Sequence, residues 1–263
     1  MRVVDLDRDM RDVIPTSTSP DSDYLFEHMT RRTLGLTEAA PGRRVLDVAS
    51  GFGQDAREIA ASGAFVVAAE PSARMSALAR MQDAESPEPR PQQLRGWADG
   101  LPFADASFDA VFCKGAIDHF DTPREAIAEM ARVTRPDGRV ILAIANFDSF
   151  SCRVSRSVDA LREMSGSPPP RGRRQYDVPH DHFTRYELDL MREQAGDSLH
   201  LDHVEGVSLG WGVPSWSRLC RQMPAWLAAR SLETLDALAR RWPAGADVVL
   251  LAGRPRRSAT TSS

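Results

Sequence analysis

Residues 45–56 read VLDVASGFGQDA, and this segment constrains the fold more than any other. An apolar run carrying one acid, Asp47, meets a turn of small residues with Gly51 and Gly53, and a helical pattern starts at Gln54. Glycines in such a turn let backbone approach a ligand closely, and the next helix N-terminus aims N–H groups at it. Strand, glycine turn and helix in that order is how α/β proteins hold nucleotide-like ligands. The following apolar run, FVVAAE, ends in Glu70, where such folds hold ribose hydroxyls.

The pattern repeats along the chain. A helix is expected at Tyr24 to Leu34 with Gly35 as its stop. Strands are expected at Arg44–Val48, Phe65–Ala69, Gln92–Gly96, Phe108–Cys113 and over RVILAIAN, Arg139 to Asn146. Helices are expected at Gln54–Ser62 before the breaker Gly63, and from Ser72 to about Met81. DTPREAIAEMARV signs a further helix, with Thr122 as N-cap, Pro123 in the first turn and Glu125 completing a capping box. Ile127, Met130 and Val133 recur there at helical spacing, and PDG ends it. Two late strands are expected at Leu199–Val207 and Asp247–Ala252. Strands and helices alternating at this spacing imply a doubly wound, Rossmann-like sheet, mostly parallel and expected to be seven-stranded with an antiparallel last strand.

Residues 1–40 are expected as an N-terminal helical lid segment, 41–253 as the main domain and 254–263 as a disordered tail. Two stretches exceed a minimal α/β core and read as helical cap insertions. The first, about 148–182, holds a short helix and the basic loop SPPPRGRR. The second, about 211–242, carries four of the five tryptophans, and Leu232, Leu235, Ala239 and Trp242 fall on one helical face.

Composition narrows the function. A formal charge of -4 gives no electrostatic case for nucleic acid as a partner. No apolar run approaches the roughly 20 residues of a membrane span, and the charged start MRVVDLDRDMRD lacks a signal-peptide core. Cys113, Cys152 and Cys220 are widely spaced and form no metal-ligand pattern, so no metal is expected and a cytoplasmic location is the simplest. Lys114 is the chain's only lysine; all other cations in the Lys+Arg total of 33 are arginine. A compact ammonium is not interchangeable with guanidinium where chemistry needs it, so Lys114 stands out.

Five blocks arrive in one order: LDVASGFG, VVAAEPSARM, WADGLPFADASFDAV, AIDHF and MARVTRPDGRVILAI. Together they resemble the class I S-adenosylmethionine-dependent methyltransferases, nearest to the ubiquinone/menaquinone-type and small-molecule group, over about Arg43 to Asn146 plus the last strands. The resemblance implies S-adenosyl-L-methionine as cofactor. It implies that Asp47, Ala49, Gly51 and Gly53 line its methionine end and that Glu70 accepts from both ribose hydroxyls. Pro71 and Met75 would then lie near the adenine, Ala98 and Asp99 would hold the ring and its amino group, and Lys114 could take the carboxylate. Ala49 stands where the family usually has its first glycine, Ser50 replaces a frequent cysteine, and Trp97 takes a place that often carries an acid.

A dinucleotide dehydrogenase is the rival, because Gly51, Gly53 and Ala56 also satisfy G-x-G-x-x-A. An acid at the end of the first strand would repel a pyrophosphate, whereas a sulfonium and an ammonium welcome it. The LPFADASFDAV block has no role in a dehydrogenase.

Ligands of doubly wound sheets sit beyond the carboxyl ends of the strands. That places Lys114, Asp118 and His119 at the mouth. His119 is the first candidate for a base, since an imidazole titrates near neutrality. Lys114 could hold an acidic acceptor, and Asp118 reads better as a loop residue. His182 in HDHFT is a further candidate, set against a structural reading in which Thr184 caps a helix with Glu187 three residues on. Arg171, Arg173 and Arg174 read as a basic lid or a solvated loop. The tryptophan-rich insert reads as cap packing, an acceptor pocket or an interfacial face.

The expected activity is methyl transfer by in-line displacement to oxygen, nitrogen or carbon of a small-molecule acceptor, apolar or aromatic, with oligomeric state open. A methyltransferase-like sensor or partner subunit that binds the cofactor without turnover stays open at this point, as does a macromolecular acceptor.

Overall fold

The structure is a computed structural model that describes residues 19–168, 174, 176–177, 183–213 and 215–256. Its centre is a seven-stranded sheet. The strands are β1 (Arg44–Val48), β2 (Phe65–Ala69), β3 (Gln92–Leu94), β4 (Phe108–Lys114), β5 (Thr134–Ala145), β6 (Leu199–Val207) and β7 (Val248–Pro255). Their order is β3-β2-β1-β4-β5-β7-β6. β7 runs antiparallel to both β5 and β6, and the remaining pairs are parallel. The doubly wound, mostly parallel sheet with an antiparallel last strand is therefore as expected. The order reverses at β1 and β4, which opens a crevice at their carboxyl ends.

Central strands of such a sheet must be apolar on both faces, since helices cover both. Val140, Ile141, Leu142, Ala143 and Ile144 of β5 are accordingly all buried. One face packs Leu46, Val111 and Leu142 against α4 (Pro123–Val133) and α6 (Leu188–Ser198) through Ile127, Met130 and Met191. The other packs Val45, Phe112 and Ile141 against α2 (Gln54–Ala60) and the end of α1 (Pro20–Leu36). Earlier along α1, Leu25 and Met29 pack on Ala143, Val207 and Leu250. The helix expected as a lid thus has an apolar side seated on the sheet. The helix α3 (Ala73–Glu85) follows β2, and Ser72 caps it by accepting from the Met75 N–H.

Several local expectations are corrected. Gly35 does not stop α1, which runs through Leu36; Thr37 ends it by donating its hydroxyl to Leu34 O at 2.6 Å. The Thr122 side chain makes no cap bond, so the capping box is not formed; its Oγ1 donates to Asp99 at 3.2 Å and ties the 97–100 turn to α4. β5 begins directly after α4 rather than at Arg139, with a register shift opposite Phe108 and Ala110. Gly138 sits at that irregularity because a Cβ there would meet Asp109 O at 2.7 Å. Thr184 does not cap α6: Glu187 takes the N-cap position. The N–H groups of Phe183 and Thr184 donate instead to Asp118 O, which staples this turn to the segment after β4.

The insert after β5 holds a longer helix than expected, α5 (Phe150–Met164), capped by Ser149. The insert between β6 and β7 folds as α7 (Trp216–Gln222) and α8 (Ala225–Arg241). Leu232 and Ala239 of α8 are buried and Leu235 is partly buried, but Trp242, expected on the same face, is 46% exposed. Asp236 of α8 is buried and accepts from Arg32 of α1 and from the Ser208 N–H. Such a pair, once formed, is costly to break from one side. Among the described residues no helix is long and apolar enough to cross a membrane.

Asp247, just before β7, is buried and accepts from the Trp211 N–H at 2.9 Å. Burial pushes its carboxyl up to about 6, against the downward pull of hydrogen bonds from Ser151, the Trp211 N–H, Ser208 and Ser149. A carboxyl raised in the folded state above its free value of 3.8 contributes stability that is present at acid pH and lost as pH rises through about 6. Asp247→Asn should therefore gain stability relative to wild type between acid and neutral pH, by about 2–3 kcal/mol at most. Urea unfolding at a series of pH values checks this; parallel curves for the two proteins would contradict it.

Candidate active site

The crevice is built from the loops after β1, β2 and β4. After β1 the chain turns through three left-handed residues, Ala49 (φ 58), Gly51 (φ 55) and Gly53 (φ 77). Ala49 thus keeps the conformation of the glycine it replaces, at a cost of about 1 kcal/mol for its methyl group. A Cβ on Gly51 would meet nothing within 4 Å, so this glycine borders open space. Gly53 sits at the N-cap of α2, close to Ala79 of α3 and to the side chains of Arg57 and Gln93.

Glu70 fastens the loops together. One carboxylate oxygen accepts from the Gly51 N–H and the other from the Ser72 N–H, both at 2.8 Å. Burial raises its pKa, while the N–H bonds from Ser72 and Gly51 oppose that shift. Each oxygen keeps a lone pair for a further donor.

Asp47 lies at the carboxyl end of β1, 3% exposed, and its Oδ2 has no hydrogen-bond partner. The nearby Ser50 hydroxyl is orphaned as well. Burial holds the Asp47 carboxyl well above the ordinary range, Asp55 and Glu70 add to the shift, and Lys114 opposes it. An unpartnered buried carboxylate oxygen is costly unless a ligand completes it.

Lys114 does not stand free at the mouth. Its Nζ lies 2.7 Å from Asp55 Oδ2 and donates to the Thr30 hydroxyl at 2.5 Å. The lone lysine therefore joins β4 to the first turn of α2 and to α1. Neither Asp55 nor Thr30 stands out in the sequence; an acid in a helix first turn is an ordinary response to the helix dipole. His119 closes a 3-10 turn at Ile117–His119, its side chain about one-third exposed and Nε2 3.9 Å from Asp118 Oδ1. Tyr186, also missed, is fully buried under this turn in the α4/α6 layer and donates to Gln194 at 2.7 Å.

The remaining expected residues divide. Asp99 accepts from Thr122, and Ala98 packs against the core beside it. Pro71 is half-buried, and its carbonyl accepts from Arg95. Met75 is buried in the first turn of α3. His182, Arg171 and Arg173 lie outside the described residues. Arg174 is paired with Asp159 of α5.

Residues 46–142 match the profile of the family described as methyltransferase domain. The demethylmenaquinone methyltransferase of Mycobacterium sp. (strain KMS) is 32% identical over 216 residues, which cover 79% of this chain and 83% of that protein. The chain belongs to the class I S-adenosylmethionine-dependent methyltransferases. Solved structures share the fold of this methyltransferase at lower identity. YcgJ of Bacillus subtilis is 20% identical with a TM-score of 0.56, covering 88% of this chain and 99% of that one. The [4+2]-cyclase SpnF is 18% identical with a TM-score of 0.60, covering 88% and 82%.

The crevice suits the cofactor of this family, S-adenosyl-L-methionine. Three carboxyl groups, Asp47, Asp55 and Glu70, surround the one ammonium of Lys114 beside an orphaned carboxyl oxygen. A ligand carrying an ammonium and a sulfonium complements that charge, and a pyrophosphate does not.

Two measurements test the geometry. Glu70→Gln should weaken S-adenosylmethionine binding by about 1–3 kcal/mol in calorimetric titration, because a charged acceptor is lost. NADH should give no heat in the same cell. Completing Asp47 with a cation lowers its raised pKa, so binding at mildly acidic pH should release a proton. Buffers of different ionisation enthalpy reveal that release, and Asp47→Asn should abolish it; an unchanged release would assign the proton elsewhere.

Proposed function

We propose that this methyltransferase methylates a quinone-type aromatic ring in its reduced, hydroxylated form. The carrying observation is the extent of the likeness to the mycobacterial relative. The family profile ends at residue 142. The 216 aligned residues exceed that block, so the likeness reaches past the cofactor half, and in this reading the elements beyond it surround the acceptor. That relative is named for demethylmenaquinone.

The proposed roles follow from the crevice. Asp47 takes the amino group of the cofactor's methionine end, beside the turn of Ala49, Gly51 and Gly53. Glu70 receives the ribose hydroxyls on the lone pairs left by its two backbone bonds. Pro71, Met75, Ala98 and Asp99 border the adenine. S-adenosylmethionine supplies, when bound, an electrophilic methyl group on a sulfonium, so the protein contributes alignment and exclusion of water.

A ring carbon that gains a methyl group must lose a proton. His119 receives that proton, directly or from a ring hydroxyl, in this reading. It is the partly exposed imidazole on the turn after β4, and the 183–184 turn is stapled to its neighbour Asp118. Lys114 is committed to Asp55 and Thr30, which favours a role in holding α1 and α2 around the crevice over proton transfer.

The test is turnover of radiolabelled S-adenosylmethionine with a short-chain demethylated naphthoquinol, with the product's ring methyl identified by mass spectrometry. His119→Asn should lower kcat about 10²–10⁴-fold, the usual contribution of a general base, with cofactor affinity unchanged. Transfer to simple phenols or amines with none to the naphthoquinol would sink the quinone reading. Wild-type rates in His119→Asn would remove the base assignment.

A further inference from the structure

From the corner where α7 meets α8 we infer a docking surface for an anionic lipid bilayer. Composition gives the first observation. The chain has 37 acids in 263 residues, yet none occurs between Glu205 and Glu233. That acid-free stretch holds Arg218, Arg221 and Arg230 and the tryptophans Trp211, Trp216 and Trp226. A local positive excess on a chain of formal charge -4 is not a general property of its surface.

Structure gives the second. The middle of the stretch is a helix–turn–helix corner, α7 through Gln222, then Met223 and Pro224, then α8 from Ala225. Leu219 is 46% exposed, Trp226 69% and Leu227 38%. The inner side of α8, Ala228 and Leu232, is buried. Packing of the insert onto the domain is thus already satisfied by other residues, and the large apolar groups at the tip point elsewhere.

The arginines give the third. Arg32, Arg57, Arg124 and Arg132 each hold a carboxylate. Arg218, Arg221 and Arg230 are exposed, and among the described residues none of them is held in an ion pair, with Asp23 and Glu27 of α1 lining the same cavity as Arg221. Guanidinium groups held in no ion pair, on the two helices that carry an exposed tryptophan and leucines, match a surface with anionic headgroups over a hydrocarbon layer. Tryptophan prefers that interface, and basic side chains near it are attracted to anionic lipid. A protein partner or a second copy would have to supply both an acidic rim and an apolar socket. The inference rests on this surface alone and holds whatever acceptor the crevice takes.

Co-sedimentation of the full chain with vesicles of mixed phosphatidylglycerol and phosphatidylcholine tests it, with phosphatidylcholine alone as control. The wild type should pellet with the anionic vesicles only, release with added salt, and show a blue shift of tryptophan emission. The triple variant Arg218→Gln, Arg221→Gln, Arg230→Gln should lose on the order of 100-fold in partitioning, at about fivefold per arginine. Trp226→Ala with Leu227→Ala should lose the blue shift. Both variants change exposed residues, so their S-adenosylmethionine affinity should match wild type, which confirms folding. A wild type that stays in the supernatant overturns the inference, as do variants that pellet equally well. A concentration-dependent dimer in sedimentation velocity, abolished by Trp226→Ala, would overturn it in favour of a second copy.

Discussion

Everything in the crevice depends on how the loops after β1 and β2 are held, and Glu70 holds both. Its two oxygens accept the N–H groups of Gly51 and Ser72 at 2.8 Å each. A buried carboxylate is costly, and two backbone donors offset much of that cost. The same bonds orient the carboxylate, so the direction of its remaining lone pairs is set before any ligand arrives. The left-handed turn at Ala49 and Gly51 follows from this fastening: the Gly51 N–H reaches Glu70 only if the chain doubles back there.

Charge then explains the arrangement around it. Asp47 and Glu70 at the carboxyl ends of β1 and β2 lie near Asp55 of α2, with Lys114 as the cation acting on Asp47 among the described residues. Lys114 neutralises Asp55 and reaches Thr30 of α1, while Asp47 keeps an unpartnered oxygen. The lysine is thus a strut whose charge partly offsets the burial of its neighbours. Arginine would not substitute readily, because its wide planar fork cannot place one point charge between a hydroxyl and a carboxylate in this space. Two residues on from Thr30, the partly buried Arg32 pairs with the buried Asp236 and joins the same helix to α8. The middle of α1 is therefore held from two directions, by the lysine of β4 and by the insert.

What the sequence disclosed tracks how local its causes are. β1, β2 and β6 fall at the expected bounds because short apolar runs between breakers leave little choice. Element ends failed where a tertiary partner outbid a local rule. Thr122 has the right residues for a capping box, yet its hydroxyl goes to Asp99, whose position is set by the loop before β4. Thr184 was read as a cap from its Glu187 spacing, yet its N–H goes to Asp118, distant in the chain. Lys114 stands out in the sequence by rarity, but rarity carries no information on its partners. Those come from α1 and α2, and only the fold brings them within reach. Asp47 and Glu70 stand out in the sequence because each lies at or just past the carboxyl end of an apolar run, and strand ends are where this architecture places its ligands.

The two halves of the molecule answer to different constraints. The cofactor half is specified by a few backbone positions and acids that any member of the fold must arrange, so it is readable from short motifs. The acceptor side is assembled from pieces with no common motif: the 3-10 turn carrying His119, the 183–184 turn fastened to Asp118, and the inserts after β5 and β6. SpnF shares the fold and is named for a [4+2] cyclisation, which shows how little the shared half fixes the chemistry. In the proposed reading, specificity resides in what the inserts add. The insert after β6 combines an exposed tryptophan with exposed arginines that, among the described residues, are held in no ion pair. The pair buries Cys220 of α7 and Ala228, Leu232, Asp236 and Ala239 of α8, and leaves Leu219, Trp226, Leu227 and Leu238 exposed, so much of its apolar surface is not spent on the fold itself. The part that it keeps exposed lies outside the cofactor site, and it is the surface on which the proposed lipid docking rests.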